Sequence, residues 1–148
     1  MPRIIKKLTN AFTLIETLLV LLIISFVLLF ASLYPNKDIT EKIESRLFFD
    51  QVVAGLNLAQ GVSVLQETQV NVRFWKNLPY IEFQVVGQVE SISQIKIPEF
   101  WYLETTLTFT HYPDGRTNNF STVVFRHREG QRVEIVFQLG SGKFEIRQ

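Results

Sequence analysis

Residues 11–34 read AFTLIETLLVLLIISFVLLFASLY, and within them Thr17–Tyr34 is a run of 18 residues without a charge. A helix rises about 1.5 Å per residue, so with the preceding FTLI the stretch reaches roughly 30 Å, enough to cross a bilayer core. Arg3, Lys6 and Lys7 precede it with no acid among them, and Glu16 is the only charged residue between Lys7 and Lys37. Basic flanks stay in the cytoplasm, so the chain after the run is expected outside. A buried helix in a soluble domain is usually shorter and lacks such a flank. A cleaved secretory signal would need small residues at the last and third-last leader positions after the apolar core, where Leu29 fits badly. The small residue that matters lies before the run, at Ala11.

Outward from the run, the texture changes twice. Pro35 interrupts the helix, and Asn36, Lys37 and Asp38 mark the exit into water, with Asp38 and Glu41 able to cap a restart. Ile39, Ile43, Leu47, Phe48, Val52, Leu56, Ala59 and Val62 then recur at three- and four-residue spacing. This predicts an amphipathic helix to about Gln66 whose stripe packs on a sheet. From Thr68 the period becomes two. Val70, Val72 and Phe74 alternate with polar residues, as do Ile81, Phe83 and Val85, and later Leu107 and Phe109. Val123 and Phe125 face Val133, Ile135 and Phe137 across RHREGQ, a hairpin with Gly130 in its turn. Tyr112-Pro113-Asp114-Gly115 and Gly140-Ser141-Gly142 are further turns, the second leading to Phe144 and Ile146. The expected architecture is α+β: a long N-terminal transmembrane helix, then an amphipathic helix laid on a small antiparallel β-sheet head.

Composition narrows the chemistry. The chain has 148 residues, with 15 Lys and Arg against 14 Asp and Glu, so net charge decides nothing about partners. It has no cysteine, which excludes disulfides, thiol catalysis and cysteine metal sites. No phosphate loop, H-E-x-x-H or G-x-S-x-G occurs. The two histidines, His111 and His127, sit in turn-rich stretches and are expected to be solvated; with Asp114 and a serine they make a triad only on paper. No catalytic residue, metal site or cofactor is expected, and the chain does not read as an enzyme. Arg126, His127, Arg128 and Arg132 surround the hairpin turn, with Arg116 near in sequence and Phe120 and Phe125 interleaved. Such a group could hold DNA phosphates and stack on bases, but Glu129 and Glu134 dilute it, and a solvated hairpin tip is the simpler reading.

The N-terminal stretch resembles the signature of type IV pilins and pseudopilins: a basic leader, a small residue, Phe, and a lone Glu five residues into the apolar run. The resemblance implies that a prepilin peptidase cuts between Ala11 and Phe12, that Phe12 becomes an N-methylated N-terminus, and that the apolar run is retained. Most members carry Gly before the cut; Ala11 is small enough for the same pocket. It divides the chain into a cleaved leader (1–11), a transmembrane helix (12–35) and an extracytoplasmic head (36–148).

Glu16 then has two readings. With Thr13 it has the S/T-x-x-E spacing of a capping box, worth roughly 1 kcal/mol. That does not offset a charge inside a bilayer, on the order of 3 kcal/mol. The resemblance supplies a partner, the new α-amine of Phe12 in a neighbouring subunit. Their pairing would neutralise both charges and set axial register.

The last stretch, HYPDGRTNNFSTVVFRHREGQRVEIVFQLGSGKFEIRQ, resembles the end of competence minor pseudopilins of the ComGD type in Gram-positive bacteria, with FQLGSGKF at 137–144 as the closing motif. This implies a structural subunit of the pilus that brings DNA to the cell surface in transformation. The implied location is a single-pass membrane protein, N-terminus in the cytoplasm, that passes into a surface pilus. Its partners would be other pilin-like subunits, the prepilin peptidase and the membrane, with DNA contacted indirectly. A minor pseudopilin of a type II secretion system, a pilus-tip DNA-binding adhesin with Arg126, Arg128 and Arg132 as contacts, and a membrane-anchored enzyme are the competing readings; the missing motifs disfavour the last.

Overall fold

A computed structural model describes residues 13–33, 37–119, 121–138 and 142–147. The leader, the Ala11–Phe12 junction, the Pro35 break, Phe120 and the Gly140-Ser141 pair lie outside them. The chain divides into two compact units, Met1–Thr40 and Glu41–Gln148. The first contains helix α1, Leu14–Leu33. The second contains most of helix α2, Lys37–Leu65, and, among the described residues, eight strands. The architecture is α+β, two N-terminal helices followed by antiparallel sheet.

The head holds two four-stranded sheets where one was expected. Sheet A has the order β3-β2-β1-β5, formed by Ser91–Lys96, Tyr80–Val85, Val70–Phe74 and Leu107–His111. Sheet B has the order β4-β6-β7-β8, formed by Trp101–Leu103, Thr122–His127, Arg132–Phe137 and Phe144–Arg147. The expected hairpin is β6–β7, with Phe125 opposite Val133 and Gly130 at φ 96° in its turn. Period-two alternation identifies inward residues but not which strands pair, so the division into two sheets was not legible from it. Strands β3 and β4 were not foreseen. SISQIK and WYL are short, and Ile92, Ile95 and Ile97 do not keep one face through the register shift opposite Phe83 and Gln84.

Helix α2 joins the sheets. Phe48 and Phe49 meet Phe125 of sheet B edge-on, each at 5.6 Å between ring centroids, and Trp101 Nε1 donates to Ser45 Oγ at 2.9 Å. One to two turns later Gly55 lies against Phe83 and Ile95 of sheet A. Gln60 then donates to the carbonyl of Gly115 at 2.9 Å, tying the Tyr112–Gly115 turn to the helix. The core continues inward through Phe74, Phe109 and Phe137, with Phe109 and Phe137 only 4.6 Å apart. Stacking aromatics in this way adds to the burial energy of their large apolar surfaces.

Candidate functional site

Helix α1 begins on a capping box. Thr13 N donates to Glu16 Oε2 and Glu16 N donates to Thr13 Oγ1, both at 3.4 Å, so the S/T-x-x-E spacing closes in both directions. The hydroxyls of Ser25 and Ser32 donate to the carbonyls of Leu21 and Leu28, so the helix satisfies these polar side chains internally. Among the described residues its large apolar side chains are all about half exposed or more, from Val20 at 45 % to Leu14 at 79 %. Twenty residues at about 1.5 Å each span roughly 30 Å. By length and composition α1 can cross a membrane, and α2 passes the same test although part of it is buried in the head. These helices allow membrane association.

Helix α2 has two apolar faces. One, carrying Phe48, Phe49, Val52, Gly55, Leu56, Ala59 and Ser63, is buried in the head. The expected stripe was wrong in its first half: Ile39, Ile43 and Leu47 stay more than half exposed. Phe49 carries the burial there instead. Ile43, Leu47, Leu58 and Leu65, spaced near whole numbers of turns, share a face that remains 48–86 % exposed. Helical periodicity selects residues that line up with each other, not which line meets the sheet.

Two of the three arginines of the β6–β7 hairpin are held by carboxylates. Arg126 and Arg132 are cross-strand partners, and each is engaged by a carboxylate. Arg126 Nε donates to Glu104, which holds the Glu104 carboxyl below its ordinary range. Arg132 pairs with Glu134 at 2.7 Å. Arg128, at the exposed tip, lies beside Glu129. Phe125 is fully buried and offers no surface for a base. Arg116 pairs with Asp114 at 3.5 Å in its own turn. The neutralising partner Glu104 is distant in sequence and was missed for that reason.

Both histidines are buried, contrary to expectation. His127 ends β6 and points inward between Phe100 and Trp101, with centroids 5.4 and 5.0 Å away. Its Nδ1 accepts from the Glu129 backbone N–H at 3.2 Å, and its Nε2 lies 4.0 Å from Glu41 Oε2 on α2. His111 ends β5 against Phe109, and neither ring nitrogen has a hydrogen-bond partner among the described residues. Burial pushes its imidazole down to about 4. Alternation in LTFTH places His111 inward with Leu107 and Phe109; the neighbouring Pro-Asp-Gly turn had suggested otherwise.

The depressed value has a consequence with a definite sign. The fold favours neutral His111, so its stability is fully present above the ordinary imidazole value near 6.5 and is lost as pH falls toward 4. His111→Phe removes both the proton site and two unpaired buried polar atoms. We expect the variant to be more stable by about 1–3 kcal/mol at neutral pH. Between pH 6.5 and 4 it should lose less stability than the parent, measured by urea unfolding of the full chain in detergent. Equal pH profiles for the two proteins would refute this reading.

Among the described residues no cluster of three or more His, Cys, Asp or Glu could hold a metal ion. Comparison with protein-family models, with curated proteins and with solved structures gave no match.

Proposed function

We propose that this chain is a pilin-like subunit: a membrane-held precursor whose helices become the spine of a filament and whose two-sheet head lies outside. More particularly, it acts as a minor pseudopilin of the competence pilus that serves DNA uptake in natural transformation. The observation that carries the first step is helix α1. It is apolar along its length and exposed on every described side, with one carboxylate held at its first turn. An apolar surface of that extent needs cover from lipid or from other helices. The second apolar face of α2 extends the same demand beyond the bilayer. The second step rests on the resemblance of residues 111–148 to the competence pseudopilins. The engagement of Arg126 and Arg132 by carboxylates favours a scaffold over a DNA-binding adhesin. DNA then meets the assembled pilus rather than this head.

The mature chain is expected to begin at Phe12 with a methylated amine. Intact-mass and N-terminal mass spectrometry of the cell-surface form tests this. A mature chain starting at Met1, or after Ala31, would sink the assignment. Loss of transformation on deleting the gene, with protein secretion unchanged, is the expected separation from the secretion-system reading.

A further inference from the structure

Sheet A ends at β3 and sheet B ends at β8, and among the described residues no strand pairs with the far side of either. The core is least complete at these two edges. Of the four half-covered apolar residues at its margin, Ile92 lies on β3, and Phe144 and Ile146 lie on β8. Beside β3 is an open groove of about 390 Å³. Gln51, Ala54, Gly55 and Leu58 of α2 form one wall, and Ser93, Gln94 and Ile95 of β3 form the other. Leu58 is 48 % exposed there. The apolar flank of α2 therefore reaches past the last strand, and sheet A stops one strand short of covering it.

A free strand edge flanked by a helix wall is the geometry that accepts an added strand: backbone groups pair along the edge, and alternate side chains fill the groove. Devices that normally blunt an edge are sparse on β3. It has no proline and no inward charge, and its only lysine is Lys96 at the end. The register shift opposite Phe83 and Gln84 leaves Ser93–Lys96 as the regular part of the edge, four residues long. The strand that would fit is four residues long, apolar on its inner side and charged on its outer side, with an edge of its own to give. β8, Phe144-Glu145-Ile146-Arg147, has that pattern and length. Its outward Glu145 also complements the outward Lys96.

We propose that β8 of a second copy of this chain adds to β3 as a fifth strand of sheet A, with its Phe144 and Ile146 packed over Ala54, Leu58 and Ile92. The contact joins two different edges, so it is heterologous rather than a two-fold symmetric pair. It adds a head-to-head bond to the helical packing and rests on the assembly reading for its setting. Sheet addition also buries the free edges of β3 and β8, which otherwise invite uncontrolled pairing.

The absence of native cysteine makes the contact testable by disulfide trapping. Gln94 and Glu145 both face outward on their sheets, as their register with Glu82 and Val136 requires. Full-length Gln94→Cys and Glu145→Cys copies, carrying different tags, are coexpressed and mildly oxidised in membranes and in the sheared surface fraction. A covalent dimer containing both tags is expected, and neither single variant alone should give one. Arg147→Cys in place of Glu145→Cys covers the other outward position of β8. Leu58→Lys, a change at an exposed site, places a charge in the groove and should lower the trapped fraction at least tenfold at unchanged protein level. No mixed dimer in either fraction with either partner overturns the proposal. So does trapping that is indifferent to Leu58→Lys. Surface filaments without the cross-link sink the strand addition alone, whereas a cross-link in membranes of cells making no filament sinks the assembly reading and leaves the strand addition standing.

Discussion

Glu16→Gln should insert into the membrane normally, keep its helix start, and fail to enter filaments. Glutamine at this position can close the same capping box with Thr13, so the substitution removes charge while retaining the two hydrogen bonds seen at the start of α1. Insertion becomes easier, because an ionised carboxylate at membrane depth costs on the order of 3 kcal/mol. If Glu16 pairs with a neighbouring subunit's α-amine as proposed, assembly becomes harder, because that amine is left without a counter-charge. Breaking a buried pair by removing one partner costs about 3–5 kcal/mol, roughly a hundredfold or more in incorporation. Thr13→Ala is the converse variant. It opens the cap at a cost of roughly 1 kcal/mol but keeps the carboxylate, and should assemble nearly as well as the parent. Subunit content in sheared filaments, relative to total membrane protein, separates the two. Normal filament content with Glu16→Gln would refute the pairing, and equal loss in both variants would reduce Glu16 to a helix cap.

The second large effect is expected at Gly55. A Cβ built there would lie 2.8 Å from Phe83 Cζ and 2.9 Å from Ile95 Cδ1, both buried side chains. The helix can approach the sheet this closely only without a side chain. Gly55→Val has to lift α2 from sheet A or push Phe83 off its rotamer, and we expect a loss of about 3 kcal/mol. Gly61, six residues on in the same helix, has no atom within 4 Å of its built Cβ. Gly61→Ala should therefore gain stability, by up to about 1 kcal/mol, from helix propensity alone. Urea unfolding of both variants in detergent, compared with the parent, measures the contrast. A Gly55→Val chain as stable as the parent would mean that α2 does not seat on Phe83 as described.

Glycine 55 also shows where sequence reasoning stopped. GLNLAQG reads as a helix weakened by two glycines, and nothing local distinguishes the one that touches a sheet from the one that faces open space. The distinction depends on Phe83 and Ile95, which are 28 and 40 residues further along the chain.

Features that depend on neighbours within a few residues were legible before any contact was seen. These are the apolar helix α1, the Thr13–Glu16 cap, the Tyr112–Gly115 turn and the β6–β7 hairpin around Gly130. Each follows from a helical rise, a capping spacing, or a glycine that tolerates positive φ. Contacts between distant segments set which side of α2 is buried, how the described strands divide into two sheets, and why two histidines lie inside. They also set that Arg126 of β6 is engaged by Glu104, just past β4, and that β3 and β8 each end a sheet. The physical reason is common to all of these. Pattern fixes the direction in which a side chain points along its own element, while the identity of what it meets is set by contacts between segments far apart in the chain, and burial, charge pairing and edge exposure are properties of those contacts.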